Sequence, residues 1–418
     1  MISNSESKTD PKAFLIGISP DKTSLDELKE LSKSCGLSVI GRCSQTRQKA
    51  DPKFYLGKGK IHEVKETLVS EEVTVLIADD ELSPAQHRHL EKLLSIKIMD
   101  RTGIVLEIFA QRAKTHEAQV QVELAQLDYL LPRLTRLWTH LSRTGGGIGT
   151  RGPGETQLET DKRLIKTRIT HLKKQLKKVR QNRQTMKQKR QKIPLLTAAI
   201  VGYTNAGKST LINALSDSTV LVEDKLFATL DPTSRQLTLP NKERLIITDT
   251  VGFIQKLPHQ LVDAFMATLE EVIDSDFLIH VVDISNPNYK EMMHTTNSLF
   301  KELNINKKPQ LIVYNKTDQL KNIDVLDTLN TSNIPHVCIS ALKKTSLEDL
   351  KKTMTSFLNR FRKKMTFHIP FDRMDIVNLL YQNGTILSEH YEKEIQLTVE
   401  INATIGHKIM GQLKTNSK

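Results

Sequence analysis

Leu196-Thr-Ala-Ala-Ile-Val201 runs without a break into Gly202-Tyr-Thr-Asn-Ala-Gly-Lys-Ser209, and Thr210 to Leu215 follow. The first stretch reads as a buried strand and the last as a helix. Between them stands GxxxxGKS, which cradles phosphate when it joins a strand to a helix. Glycine lets backbone N–H groups approach the phosphates closely. The helix N-terminus adds partial positive charge. Gly202, Tyr203, Thr204, Asn205, Ala206, Gly207, Lys208 and Ser209 are therefore the expected phosphate-binding residues. Lys208 is expected to reach the β- and γ-phosphates, and the Ser209 hydroxyl to ligate Mg²⁺.

Three further patterns follow in chain order, each after an apolar run. Leu245 to Thr248 ends in Asp249, Thr250, Val251 and Gly252. An aspartate at that strand end suits a Mg²⁺-bound water, and the Gly252 N–H suits a γ-phosphate. Gln310 to Val313 leads to Asn315, Lys316, Thr317 and Asp318. This NKxD resembles the guanine-reading motif of translation-factor-type GTPases. Its chemistry is specific, because a carboxylate at Asp318 accepts from guanine N1–H and the 2-amino group, which adenine lacks. Val337 to Ile339 leads to Ser340, Ala341 and Leu342, matching a loop whose backbone N–H meets guanine O6. A threonine between the phosphate loop and Asp249 must close over Mg²⁺ and the γ-phosphate. Phe227, Ala228, Thr229, Leu230 and Asp231 precede Pro232 and Thr233 there, and both threonines qualify chemically.

On the N-terminal side, apolar runs at Ala13–Ile18, Val39–Ile40 and Val73–Ala78 alternate with helical stretches at Ser24–Cys35, Lys60–Ser70 and Ser83–Leu94. That alternation predicts a small α/β domain with parallel pairing over residues 12–113. Ser24 is the expected cap of the first of those helices. Residues 114–193 predict a long antiparallel helical hairpin. Its first arm, Lys114 to Leu141, is interrupted near Pro132. Its tip is the glycine-rich Gly145 to Gly154, expected to be non-helical, with Arg143 and Arg151 close by. The second arm, Glu155 to Lys192, places Leu158, Ile165, Ile169, Leu172, Leu176, Val179 and Met186 along a heptad seam. A helix of those 38 residues is about 57 Å long. Residues 194–362 carry the phosphate loop and a mainly parallel sheet. Residues 363–418 predict a small α+β appendage, with a helix near Met374–Tyr381 and a strand at Glu394–Ile401.

Charge points to a polyanion. The 418 residues carry 61 lysines and arginines against 48 acidic residues, a net +13. Between Lys162 and Lys192 there are 14 basic residues and no acidic one. Their mutual repulsion is relieved by a polyanionic partner. Cys35, Cys43 and Cys338 fit neither a disulfide framework nor a zinc site, which predicts a reducing, cytoplasmic setting. No run of eighteen apolar residues exists, so no membrane insertion is expected. Met1 to Pro11 reads as a short disordered start without a signal-peptide core.

Phe227-Ala-Thr-Leu-Asp-Pro-Thr233, Asp249-Thr-Val-Gly-Phe-Ile254 with Leu257-Pro-His259, and Thr268-Leu-Glu-Glu271 resemble the HflX family of the Obg–HflX P-loop GTPases. Phe54-Tyr-Leu-Gly-Lys-Gly-Lys60, Asp100-Arg-Thr102, Gln119-Val-Gln-Val-Glu-Leu-Ala125 and Gln157-Leu-Glu159 resemble that family's N-domain and helical linker. The likeness runs from about Lys12 to Asn359. It favours Thr229 as the second Mg²⁺ ligand. It implies a cytoplasmic, monomeric GTPase that binds GTP and GDP, engages the large ribosomal subunit and its rRNA, and splits stalled or stressed ribosomes. An asparagine at the position of Asn205 resembles a ligand for an activating K⁺. Some members are suspected of binding ATP in the N-domain, where Gly57 to Lys60 lie.

One residue sharpens the expected mechanism. Phe253 stands where Ras-like enzymes place a water-orienting glutamine. Phenylalanine orients no water, so intrinsic turnover is expected to be slow and to depend on an activator. Gln255 and His259 are the polar groups nearby. Two other functions share these features: a GTP-gated RNA chaperone or ribosome-assembly factor, and a GTP-switched module that recruits a protein. Turnover stimulated by mature large subunits, but not by free RNA or a protein, separates them.

Overall fold

The computed structural model describes residues 10–18, 23–134, 153–191, 195–216, 227, 232–256, 269–320, 329 and 334–415. The chain divides into two compact units. Unit 1 comprises Met1–Lys177, Lys225–Phe227 and Gln255–Phe265; unit 2 comprises Lys178–Asp224, Ala228–Ile254 and Met266–Lys418.

Unit 1 is built on four parallel strands, β1 (Lys12–Gly17), β2 (Ser38–Ser44), β3 (Val75–Ala78) and β4 (Lys97–Asp100), in the order β2-β1-β3-β4. Helices α1 (Thr23–Ser34), α2 (Lys58–Ser70), α3 (Pro84–Leu94) and α4 (Arg101–Arg112) alternate with them. All four residues of β3 are buried, as a central parallel strand covered on both faces requires. Ser83 caps α3 in a capping box with Gln86, ahead of Pro84. Gly57 is the N-cap of α2, so Lys58 and Lys60 lie in a helical first turn. Ser24 is not the cap of α1; it lies inside the first turn, buried, and its hydroxyl donates to Asp79 Oδ2 at 2.6 Å.

The hairpin arms are α5 (His116–Leu130) and α6 (Pro153–Gln191). Val120 packs with Leu172 and Leu176, and Glu123 accepts from Arg168 Nε at 2.6 Å. Lower numbers on α5 meet higher numbers on α6, so the arms are antiparallel. Ile169, Leu172 and Leu176 of the seam are buried, whereas the side chains of Leu158 and Met186 lie outside the described residues. α6 starts two residues earlier than the composition suggests. Pro153 and Gly154 are helical because the first turn needs no N–H from proline. Gly145 to Gly152, the end of the first arm to Leu141, and Met1 to Thr9 of the polar start lie outside the described residues.

Unit 2 carries a six-stranded sheet in the order β10-β9-β8-β5-β7-β6. Its strands are β5 (Leu196–Gly202), β6 (Thr233–Thr238), β7 (Arg244–Asp249), β8 (Phe277–Asp283), β9 (Gln310–Asn315) and β10 (His336–Cys338). All pairs are parallel except β6 with β7. Helices α7 (Lys208–Leu215), α8 (Tyr289–Glu302) and α9 (Leu347–Asn359) accompany it. Residues 362–415 add β11 (Arg362–Ile369), α10 (Met374–Asn383), β12 (Gly384–Tyr391), β13 (Ile395–Asn402) and α11 (Ala403–Thr415), with an antiparallel sheet ordered β11-β13-β12. The sequence reading lacks β11, β12 and α11. One hydrophobic core runs from Leu196 and Ile200 of β5 through Met354 and Phe357 of α9 to Phe367, Leu397 and Ile409 of the last segment. Lys408 donates to Leu195 O at 2.8 Å across that joint. The protein is thus mixed α/β, with an N-terminal α/β domain, a helical region, a mainly parallel phosphate-loop sheet and a small C-terminal α/β part.

Candidate functional site

β5 is the strand at which connections of the six-stranded sheet part to either side, with β7 and β8 as its neighbours. Ligands of open α/β sheets bind outside the carboxyl ends of strands at such a point. The loop from Gly202 to Ser209 leaves β5 there. Gly202 has φ +148°, and a Cβ on it would lie 2.2 Å from Val281 O. Gly207 has φ +88°, caps α7, and would press a Cβ to 2.3 Å from Asn315 Nδ2. Only glycine meets both demands at once. Asn205 is exposed, with a left-handed backbone of φ 60°.

Lys208 is 7% exposed, and its Nζ donates to Gly202 O at 3.2 Å and Tyr203 O at 2.8 Å. Burial lowers its pKa to about 8, against which the Asp249 carboxylate works. His280 of β8 lies buried behind the loop. Burial, then the Lys208 charge, lowers it to about 4, so it is neutral at pH 7. Ser209 Oγ donates to Asp249 Oδ2 at 2.8 Å. A hydroxyl and a carboxylate side by side are the hard oxygen donors that Mg²⁺ takes, directly or through water. Thr250 Oγ1 donates to Ile200 O at 2.6 Å and fixes the end of β7 against β5. Val251 and Gly252 follow, buried. A Cβ on Gly252 would lie 2.7 Å from Thr204 Cα and 2.8 Å from Lys208 Nζ. Phe253 is 5% exposed, its ring edge-on to Phe300 with centroids 6.2 Å apart.

The base-reading loops sit at the ends of β9 and β10. Asn315 donates from Nδ2 to Ala206 O at 2.9 Å and accepts at Oδ1 from Ala341 N at 2.9 Å. One buried amide thereby ties the phosphate loop to Ser340-Ala341. Lys316 has φ 65° and pairs with Asp283 at 2.8 Å. Thr317 N donates to Ile339 O at 3.2 Å. Ser340 Oγ donates to Asp318 Oδ1 at 2.6 Å, and Leu342 is exposed. Asp283 is absent from the sequence reading, although a strand-ending acid after Leu278 to Val282 repeats the signal that marks Asp249.

Phe227 belongs to unit 1, where its buried ring lies edge-on to Phe109 of α4 with centroids 4.8 Å apart. Ala228, Thr229, Leu230 and Asp231 lie outside the described residues, as do Leu257 and His259. Thr233 opens β6, exposed. Gln255 lies in unit 1.

Residues 22–110 match the model of the GTP-binding GTPase N-terminal region, residues 112–190 that of the GTP-binding GTPase middle region, and residues 197–316 that of the 50S ribosome-binding GTPase. GTPase HflX of Caldanaerobacter subterraneus is 43% identical over 402 residues, covering 95% of this chain and 92% of that protein. The chain belongs to the HflX family of GTPases. GTPase HflX of Escherichia coli is 39% identical over 386 residues, covering 92% of this chain and 91% of that one. A GTP-binding protein of Sulfolobus solfataricus, solved with GDP, aligns with a TM-score of 0.43 at 28% identity, over 83% of this chain and 98% of that one. As an HflX GTPase, the chain binds guanine nucleotide in its phosphate-loop domain and hydrolyses GTP. Among the described residues of this HflX chain, no helix is long and apolar enough to cross a membrane.

Proposed function

We propose that this HflX GTPase binds the large ribosomal subunit through its basic helical hairpin and uses GTP to split or rescue stalled ribosomes in the cytoplasm. The carrying observation is the charge on α6. Lys173, Lys174, Lys177 and Lys178 are all exposed there, while Leu172 and Leu176 face α5. One face of the helix is packed and the other is left to phosphates. Changing those four lysines to glutamate is expected to weaken co-sedimentation with large subunits and to flatten its dependence on salt. Counterion release makes that slope scale with the number of phosphates contacted. Equal sedimentation and an equal salt slope would remove α6 from the interface. Stimulation of turnover by naked RNA would favour the RNA-chaperone reading instead.

In the nucleotide site, Gly202 to Ser209 cradle the phosphates and Lys208 stabilises the transferring phosphoryl group. Ser209 and Thr229 would hold Mg²⁺, with Asp249 beside Ser209 to hold it through water, and Gly252 N–H would meet the γ-phosphate. Mg²⁺ supplies neutralisation of phosphate charge when bound. Asn315 and Lys316 shape the base pocket, Asp318 reads guanine, and the Ser340-Ala341-Leu342 loop meets O6. The Ser209–Asp249 and Ser340–Asp318 hydrogen bonds support these assignments. Phe253 supplies no group to orient water, which supports slow intrinsic turnover. Asn205, exposed and free of helix, suits a carboxamide ligand for K⁺. Asn205→Ala is expected to erase any difference in turnover between K⁺ and Na⁺ buffers. A K⁺ preference persisting in that variant assigns the ion to other ligands.

A further inference from the structure

Lys256 follows the Asp249–Gly252 motif by four residues and belongs to unit 1. Its backbone is left-handed, φ 51°, a region that disfavours residues with a Cβ. Its ammonium is gripped by two carboxylates, 2.6 Å from Asp79 Oδ2 and 2.6 Å from Asp80 Oδ1. One residue earlier, Gln255 N–H donates to Glu27 Oε1 and Gln255 C=O accepts from Arg101 Nη1, each at 3.4 Å. Arg101 is 1% exposed and fixes Asp79 through Nη2 to Oδ1 at 2.5 Å. Burial pushes the Asp79 carboxyl up, but Arg101 and Lys256 outweigh it and hold the group below its ordinary value.

The place is specific. Asp79 and Asp80 follow β3, which lies beside β1 in the order β2-β1-β3-β4. That is where the strand order reverses and where an open parallel sheet receives a ligand. Here the chain's own lysine is seated there.

In unit 2 the residues just before Lys256 are strapped to the phosphate loop. Thr204 N donates to Phe253 O at 2.8 Å, and Phe253 N donates to Gly202 O at 3.1 Å. Lys208 Nζ is turned onto the carbonyls of Gly202 and Tyr203. Gly202 O accepts from both Lys208 Nζ and Phe253 N, so a γ-phosphate that draws Lys208 away acts on a carbonyl that the strap shares. Ile254, buried, is the single residue between Phe253 and Gln255. A shift at Gly252 is therefore transmitted by covalent chain to Gln255 and Lys256. Phe227, two residues before Thr229 in the chain, is held against Phe109 inside unit 1.

We propose that Asp79 and Asp80 form a latch for Lys256 which favours the closed strap and so sets how strongly this GTPase prefers GDP over GTP. The proposal rests on the reading of Gly252 as the glycine that meets the γ-phosphate. A latch that holds one of two conformations lowers affinity for the ligand that needs the other.

The side chains of Lys256 and Asp80 are 38% and 37% exposed, and Asp79 keeps Arg101 when Lys256 is removed. Neither Lys256→Gln nor Asp80→Asn strands a buried charge; Lys256→Gln removes both ion pairs of the latch, and Asp80→Asn removes one of the two. In the full chain, affinities for fluorescent GDP and for a non-hydrolysable GTP analogue are measured for both variants and their double. Lys256→Gln is expected to move the affinity ratio toward the GTP analogue by roughly fivefold or more, and Asp80→Asn in the same direction by less, because Asp79 still holds Lys256. The double variant is expected to move it no further than Lys256→Gln alone, because the side chains act as one unit. Lys256→Arg is expected to restore the parental ratio. Ratios within about twofold of the parent in both single variants and the double would overturn the latch. Gly252→Ala is run alongside. If it leaves affinity for the GTP analogue intact, the reading of Gly252 fails, whatever the latch variants show.

Discussion

Lys208→Ala is expected to lower GTP turnover at least about 10²-fold, the cost of removing one preorganised donor from a developing charge. Lys208 is the one ammonium at the phosphate loop among the described residues, buried on α7 with its Nζ 2.8 Å from Tyr203 O. Burial makes its charge expensive to hold without an anion. That cost is relieved when phosphate arrives, which is the condition for tight binding of the transferring group. Single-turnover hydrolysis, with and without large subunits, is the measurement. A variant that hydrolyses at the parental rate would show that some other cation stabilises the phosphoryl group. Gly202 and Gly207 keep their geometry in this variant, so the defect should fall on the chemical step more than on GDP affinity.

Asp318→Asn is expected to exchange base preference. An amide in place of the carboxylate loses the acceptor pair for guanine N1–H and the 2-amino group. It gains a donor suited to the extra carbonyl of xanthine. Loss of a charge-assisted hydrogen bond costs about 1.5–3 kcal/mol, or roughly 10- to 150-fold in GTP affinity. Ser340 Oγ, now 2.6 Å from Asp318 Oδ1, can donate to an amide oxygen as well, so the loop should survive the change. Competition between GTP and xanthosine triphosphate for one site reads the result. Unchanged GTP affinity would place guanine recognition elsewhere.

Much of the nucleotide site is legible in the chain because its chemistry is tied to short, ordered patterns. GxxxxGKS, Asp249 to Gly252, NKxD and Ser340 to Leu342 are each preceded by an apolar run, and a parallel sheet delivers all its strand ends to one edge. What cannot be read is pairing at a distance. Asn315 is visible as part of NKxD, but its bridge from Ala206 to Ala341 depends on the β9–β10 register. Lys256 shows no motif at all, and its partners stand some 176 residues away. The N-terminal strands are legible because β1 and β3 are continuous apolar runs. β2, β11 and β12 alternate or carry charge, as edge strands do, and their signal is weaker. Pro153 shows a different limit, because composition alone cannot tell a proline that ends a loop from one that begins a helix.

The shared core of unit 2 bears on how the protein is born. Phe367, Leu397 and Ile409 close the same hydrophobic cluster as Ile200 and Leu211, and Lys408 reaches back to Leu195 at the foot of β5. During synthesis the phosphate loop emerges long before the residues that finish its underside. A chain arrested short of α11 exposes apolar surface beneath the nucleotide site, a state open to chaperones and proteases. The apolar core beneath the phosphate loop is therefore complete only once α11 has been made.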